Sequence, residues 1–102
     1  MNKAPAFWTT DDGLVWSIVR PLLVTAGAPG LKVSDMVEWV AEGLAAKCYQ
    51  RAVTEPQLTG YLWRFFEAGF VKRTRSMPVR YILTEAGADA PDVVTFPGAV
   101  SA

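Results

Sequence analysis

The chain contains no histidine and one cysteine, Cys48. Without histidine, the side chain that ordinarily acts as a general base near neutral pH is missing, and so is the commonest metal ligand. Carboxylates alone would have to carry catalysis or hold a metal. The clearest carboxylate pair, Glu38 and Glu42 at i, i+4, is more simply a solvated helix face. A lone cysteine excludes an intrachain disulfide and suits a reducing interior, so a cytoplasmic location is expected, with Cys48 an idle thiol. No apolar run approaches the roughly 18 residues of a membrane span. Met1-Asn2-Lys3-Ala4-Pro5 has no apolar signal core behind it, so no secretory signal is expected. There is no glycine-rich phosphate loop either: Gly27 and Gly30 frame a turn without a following Lys-Ser/Thr. The expectation is a protein with no catalytic residues, no metal, no cofactor and no membrane contact, and not an enzyme.

Net charge is also lacking, because the 10 basic and 10 acidic residues cancel. The two signs are segregated, however. Between Lys47 and Arg80 seven basic residues (Lys47, Arg51, Arg64, Lys72, Arg73, Arg75, Arg80) face two acidic ones (Glu55, Glu67), a net of +5. The rest of the chain carries −5. A local excess of this kind points to an anionic partner for one face.

The 102 residues are enough for one domain with a single core. Residues 1–8 read as an arm, with Phe7 and Trp8 large enough to pack onto the body. Thr9, Thr10 or Asp11 can cap a first helix whose apolar stripe is Leu14, Val15, Ile18, Val19, Leu22 and Leu23. Pro21 should kink or break it. Gly27-Ala28-Pro29-Gly30 is a turn, and Leu31-Lys32-Val33 a short strand able to join a sheet. Ser34 is expected to cap a second helix through Met36, Val37, Val40 and Leu44, with Gly43 a weak point. Of the four tryptophans (Trp8, Trp16, Trp39, Trp63), Trp16 and Trp39 are assigned to the core. Residues 88–102 read as a mobile tail, with Val93 to Phe96 docked at most.

The most informative stretch runs from Thr54 to Leu83. Thr54 with Gln57 makes a capping box, and Pro56 lies in the first turn. Leu58, Tyr61, Leu62, Phe65 and Phe66 form one helical stripe. Gly69 suits the left-handed position after a helix end, with Phe70 folding back on the last turn. Residues 71–75 and 79–83 read as two strands joined through Ser76-Met77-Pro78. The outer face of the helix carries Gly60, Trp63, Arg64 and Glu67, flanked by Gln57 and Thr59.

The order helix, short strand, helix, helix, strand, wing, strand resembles that of winged helix-turn-helix domains over about residues 14–87. Thr54-Glu55-Pro56-Gln57-Leu58 looks like the start of the recognition helix in MarR-like and PadR-like regulators. Phe66-Glu67-Ala68-Gly69-Phe70-Val71-Lys72-Arg73 is similar to their helix-to-wing junction, and Tyr81-Ile82-Leu83-Thr84-Glu85-Ala86-Gly87 to the word that closes their wing. The resemblance implies an α+β, mostly helical fold: three helices plus a small antiparallel sheet with a hairpin wing, occupying residues 9–87. It implies a small DNA-binding protein, a transcriptional regulator, reading duplex DNA with helix 55–67 and touching phosphates with the 70–83 wing. Gln57, Thr59 and Arg64 would face the bases or nearby phosphates, and Lys72, Arg73, Arg75 and Arg80 the phosphates. Two features depart from the pattern. The connection between the second and third helices is longer than the tight turn of the motif. Ala88-Asp89-Ala90-Pro91 also stands where dimeric members continue into a long pairing helix, which leaves a homodimer open. Gly60 offers no base-reading side chain and Glu67 repels phosphate. An exposed Trp63 is commoner in protein contacts. The alternative is therefore a winged-helix protein–protein interaction module, an adaptor or inhibitor of a partner complex, using Tyr61, Trp63 and the wing.

Overall fold

The computed structural model describes residues 4–47 and 53–94. Helix α1 (Thr10–Ala26) starts at Thr9. The Thr9 hydroxyl accepts the Asp12 N–H, and the Asp12 carboxylate accepts the Thr9 N–H at 2.7 Å. This reciprocal box satisfies two backbone donors that have no partner within a helix. α1 buries Val15, Trp16, Val19 and Leu23, and it continues through Pro21, so of the kink or break expected there the break is absent. Pro21 is exposed, so the carbonyl it leaves without a helical donor lies on the side that water reaches.

After α1 a turn closes with the Gly30 N–H donating to the Gly27 carbonyl at 3.0 Å. Gly30 has φ +70°, and a side chain there would run into the Tyr81 backbone and Ile82. The close approach lets Leu31 exchange two backbone hydrogen bonds with Tyr81, at 3.0 and 2.8 Å. The expected third strand is thus reduced to one bridge. Helix α2 (Val33–Ala46) does not start at a Ser34 cap. Lys32 holds the cap position, and because lysine has no acceptor only half a box forms: the Lys32 N–H donates to the Asp35 carboxylate at 3.0 Å. Gly43, expected as a weak point, is a contact point. A Cβ there would come within 2.8 Å of the Ile18 side chain, so the missing side chain lets α1 and α2 close together.

Helix α3 (Glu55–Glu67) is capped as its sequence implies, with the Thr54 N–H donating to Gln57 Oε1 at 3.0 Å and the Gln57 N–H to the Thr54 hydroxyl. It ends in a Schellman motif: Gly69 has φ +82°, its N–H donates to the Phe66 carbonyl, and the Phe70 N–H donates to the Phe65 carbonyl, both at 3.0 Å. Strands β1 (Val71–Arg73) and β2 (Tyr81–Leu83) pair antiparallel, Val71 with Leu83 and Arg73 with Tyr81. They are shorter than expected, although the Thr74 N–H still donates to the Arg80 carbonyl at 3.0 Å. A short fourth helix, α4 (Glu85–Asp89), follows. The result is a mostly helical α+β fold with four described helices rather than three, and one two-stranded antiparallel sheet. Among the described residues no helix is long and apolar enough to cross a membrane.

The core centres on four rings. Trp8 and Trp16 pack against Phe65 and Phe70, and the five ring contacts among the four have centroid separations between 5.1 and 5.9 Å. Such tilted and edge-to-face pairs each contribute about 0.5–1.5 kcal/mol beyond their burial. Trp8 packs onto the body as expected of the N-terminal arm: it and Ala4 are buried, and Trp8 Nε1 donates to the Arg64 carbonyl. Phe7, expected to pack, is exposed. Residues 88–94 are not a mobile tail. Trp16 Nε1 donates to the Pro91 carbonyl at 2.9 Å, Arg20 pairs with Asp92 at 2.7 Å and donates to the Gly87 and Ala88 carbonyls, and Val94 is buried. The remaining tail residues, including Phe96, and Cys48 lie outside the described residues. Trp39 is a further correction, being 60% exposed. The buried face of α2 is Met36, Val40 and Leu44, and Trp39 stands one residue, about 100°, off that line.

Candidate nucleic-acid interface

The inner side of α3, formed by Leu58, Leu62 and Phe65, fixes which residues point outward. Tyr61 is half-buried at its margin. Gly60 and Glu67 occupy the middle of the exposed face, with Trp63 on one flank and Arg64 on the other. Three of the residues expected to contact nucleic acid are engaged by the protein itself. Gln57 Oε1 accepts the Thr54 N–H, and the Thr59 hydroxyl donates to the Glu55 carbonyl at 2.9 Å. Arg64 turns back along the body, where Nη1 donates to the Phe7 carbonyl at 3.1 Å and Nε lies 3.5 Å from Asp12 Oδ1.

Asp12 explains that turn. Its side chain is only 1% exposed, and Oδ1 accepts no hydrogen bond from the described residues. A buried carboxylate needs a nearby cation, since removing its charge from water is costly. Arg64 supplies the cation and joins α3 to the start of α1. The Thr9-x-x-Asp12 spacing was the available signal for the box at Asp12. Nothing local links Asp12 to a residue 52 positions away.

The hairpin differs. Lys72, Arg73 and Arg75 are exposed and Arg80 is half-buried. Among the described residues the ion pairs are Arg20–Asp92 and Arg64–Asp12, so none of the four hairpin cations has an acidic partner. Alternation along β1 sends Lys72 to one face and Arg73 to the other, the face shared with Val71. The Arg73 guanidinium lies over the Trp63 ring, 4.8 Å from its centroid, and 5.8 Å from that of Tyr81. Phe66 meets Trp63 edge-on at 5.3 Å. Both rings remain open to solvent, Trp63 at 42% and Phe66 at 39%. Phe66 was expected on the buried stripe, but Phe65 fills that position and the next residue falls at its edge.

No protein family, characterised protein or solved structure matches the chain.

The surface itself is therefore the guide. It joins one flank of α3 to β1 and sets Arg73 against two partly exposed aromatic rings, with Lys72 on the opposite face of the strand. Cations of this kind attract phosphate, and rings of this kind offer flat apolar area for stacking or for a protein contact. Of the residues expected to act together, Arg73 and Trp63 touch, while Arg64 lies on the opposite flank of α3.

Proposed function

We propose that the chain is a small winged-helix protein that binds double-stranded DNA, with the β1–β2 hairpin as its wing, and that its role is transcriptional regulation. The observation that carries this reading is the set of four hairpin cations, Lys72, Arg73, Arg75 and Arg80, without an acidic partner among the described residues. The element order supports it as well: α1, the Leu31 bridge, α2, α3 and then the hairpin. In such a domain α3 faces the groove and the wing follows the backbone. Since Gln57, Thr59 and Arg64 serve the protein's own structure, affinity rests mainly on phosphate contacts and sequence preference is weak.

The test is a binding titration with a mixed-sequence duplex across a range of salt. Three to four phosphate contacts give a slope of log affinity against log salt of about −3. Replacing both Lys72 and Arg75 with Ala should flatten that slope by about 2 units. No binding at low salt would refute the proposal.

A second reading rests on Trp63 and Phe66. Two partly exposed rings beside Arg73 have the composition of a protein hot spot, whereas Tyr61 lies roughly 160° round α3 from Trp63, on the Arg64 side. If a protein is the partner, Trp63→Ala should abolish its capture while the double Ala variant of Lys72 and Arg75 retains it. The reverse pattern counts against this reading.

A further inference from the structure

Trp63 is an unusual residue for a helix that faces a duplex. A large apolar ring lies on the exposed side of α3, and it is held in place there. The Arg73 guanidinium covers it at 4.8 Å and Phe66 braces it edge-on at 5.3 Å. Those contacts restrict its rotamers, so little side-chain entropy is left to lose when something stacks on it. After them, 42% of its surface is still open. On the same hairpin Arg75 is exposed and unpaired among the described residues, and so is Lys72, on the opposite face of β1 from Arg73. A groove edge of paired bases presents hydrogen-bonding groups, which an indole ring meets poorly apart from its one N–H. An unpaired base presents a flat π-face, and a fixed aromatic ring beside phosphate-binding cations is the arrangement that single-stranded nucleic acids use.

We infer that Trp63, stacked with Arg73, is a platform for an unpaired base, so that the preferred ligand is DNA in which a duplex passes into a single strand. This rests on the DNA-binding reading above and narrows its substrate class. The hairpin cations hold phosphates of the duplex and of the departing strand, and the first unpaired base lies against the indole or the guanidinium plane. Stacking of this kind accepts any base, so it adds affinity without adding sequence preference.

The experiment compares three ligands with one duplex sequence: blunt, with a thymidine tail, and with an equally long tail of abasic residues. The two tailed ligands carry the same phosphates and differ only in bases. The thymidine-tailed duplex is expected to bind about tenfold tighter than the blunt one, and the abasic tail to gain much less. Trp63→Ala should remove the difference between thymidine and abasic tails, and Trp63→Phe should retain part of it. In a Trp39→Phe background, with Trp8 and Trp16 buried, Trp63 is the exposed fluorophore and should be quenched by the thymidine tail alone. Equal binding of thymidine and abasic tails, or a gain that survives Trp63→Ala, overturns the inference. Salt-sensitive binding of the blunt duplex with no gain from a tail overturns it while the proposed function stands. No binding to any of the three overturns both.

Discussion

Replacing Gly60 and Gly87 separately with Ala should move stability in opposite directions. Gly60 lies in the interior of α3, and a Cβ added there meets nothing within 4 Å. The substitution therefore brings the helix-propensity gain without a packing cost, about 1 kcal/mol. For a chain of this size that is a rise in Tm of about 4 °C or a little more. Gly87 lies in α4, with its N–H donated to the Thr84 hydroxyl at 3.1 Å. A Cβ there would come within 2.8 Å of the Phe70 carbonyl carbon, closer still to its oxygen, and 3.0 Å from Leu83 Cδ2. The obstacle is backbone, which cannot swing aside as a side-chain tip can. The same oxygen accepts the Thr84 N–H at 3.0 Å, so any shift also strains the bond that seats α4 on the start of β1. Overpacking of this kind costs about 2 kcal/mol, a fall in Tm of roughly 10 °C. Thermal melts followed by far-ultraviolet circular dichroism, with urea titrations to check that the m-value is unchanged, measure both. A Gly60→Ala variant that melts lower would mean that the outer face of α3 is covered. A neutral Gly87→Ala would mean that α4 does not rest on Phe70.

Arg64→Ala should cost about 1–3 kcal/mol in urea unfolding, because it strips the counter-charge from buried Asp12; a loss no greater than that of Lys72→Ala would refute the inward role of Arg64. Thr54→Ala should lower stability by about 1 kcal/mol through loss of the α3 cap, and an unchanged midpoint would contradict it. Arg20→Ala should release the segment around Asp92, read as faster protease cleavage near residues 88–94, with little change at α3; equal cleavage rates would show that the segment is held by Trp16 and Val94 alone.

The sequence was most legible where the physics is local. The Thr54–Gln57 box, the Gly69 stop and the Leu58, Leu62, Phe65 stripe each depend on residues within a turn or two of one another, and each appears as expected. It was least legible where distant residues decide. Periodicity assigned Phe66 to the buried side, but Phe65 and Leu62 already fill the space there. Trp39 was assigned inward on size alone, although Met36, Val40 and Leu44 define a line that excludes it. Arg64 was read as a free cation because nothing near it in sequence shows that Asp12 is buried. The tail looked mobile because its anchors, Trp16 and Arg20, lie more than 60 residues earlier. The hairpin cations were read correctly as exposed, Arg80 only in part, because strand alternation and a short turn suffice to place them.

The four-ring core has a bearing on how the protein is made. Trp8 and Trp16 leave the ribosome before their partners Phe65 and Phe70, which follow more than 45 residues later, and Trp16 meets its last partner at Pro91. At about 5–20 residues per second the nascent chain waits several seconds with two indoles uncovered. α1 cannot complete its packing on a partial chain, so productive folding begins only once nearly all of residues 4–94 have cleared the exit tunnel. Stalled or truncated translation products ending before the hairpin would expose those indoles and become substrates for chaperones and proteases.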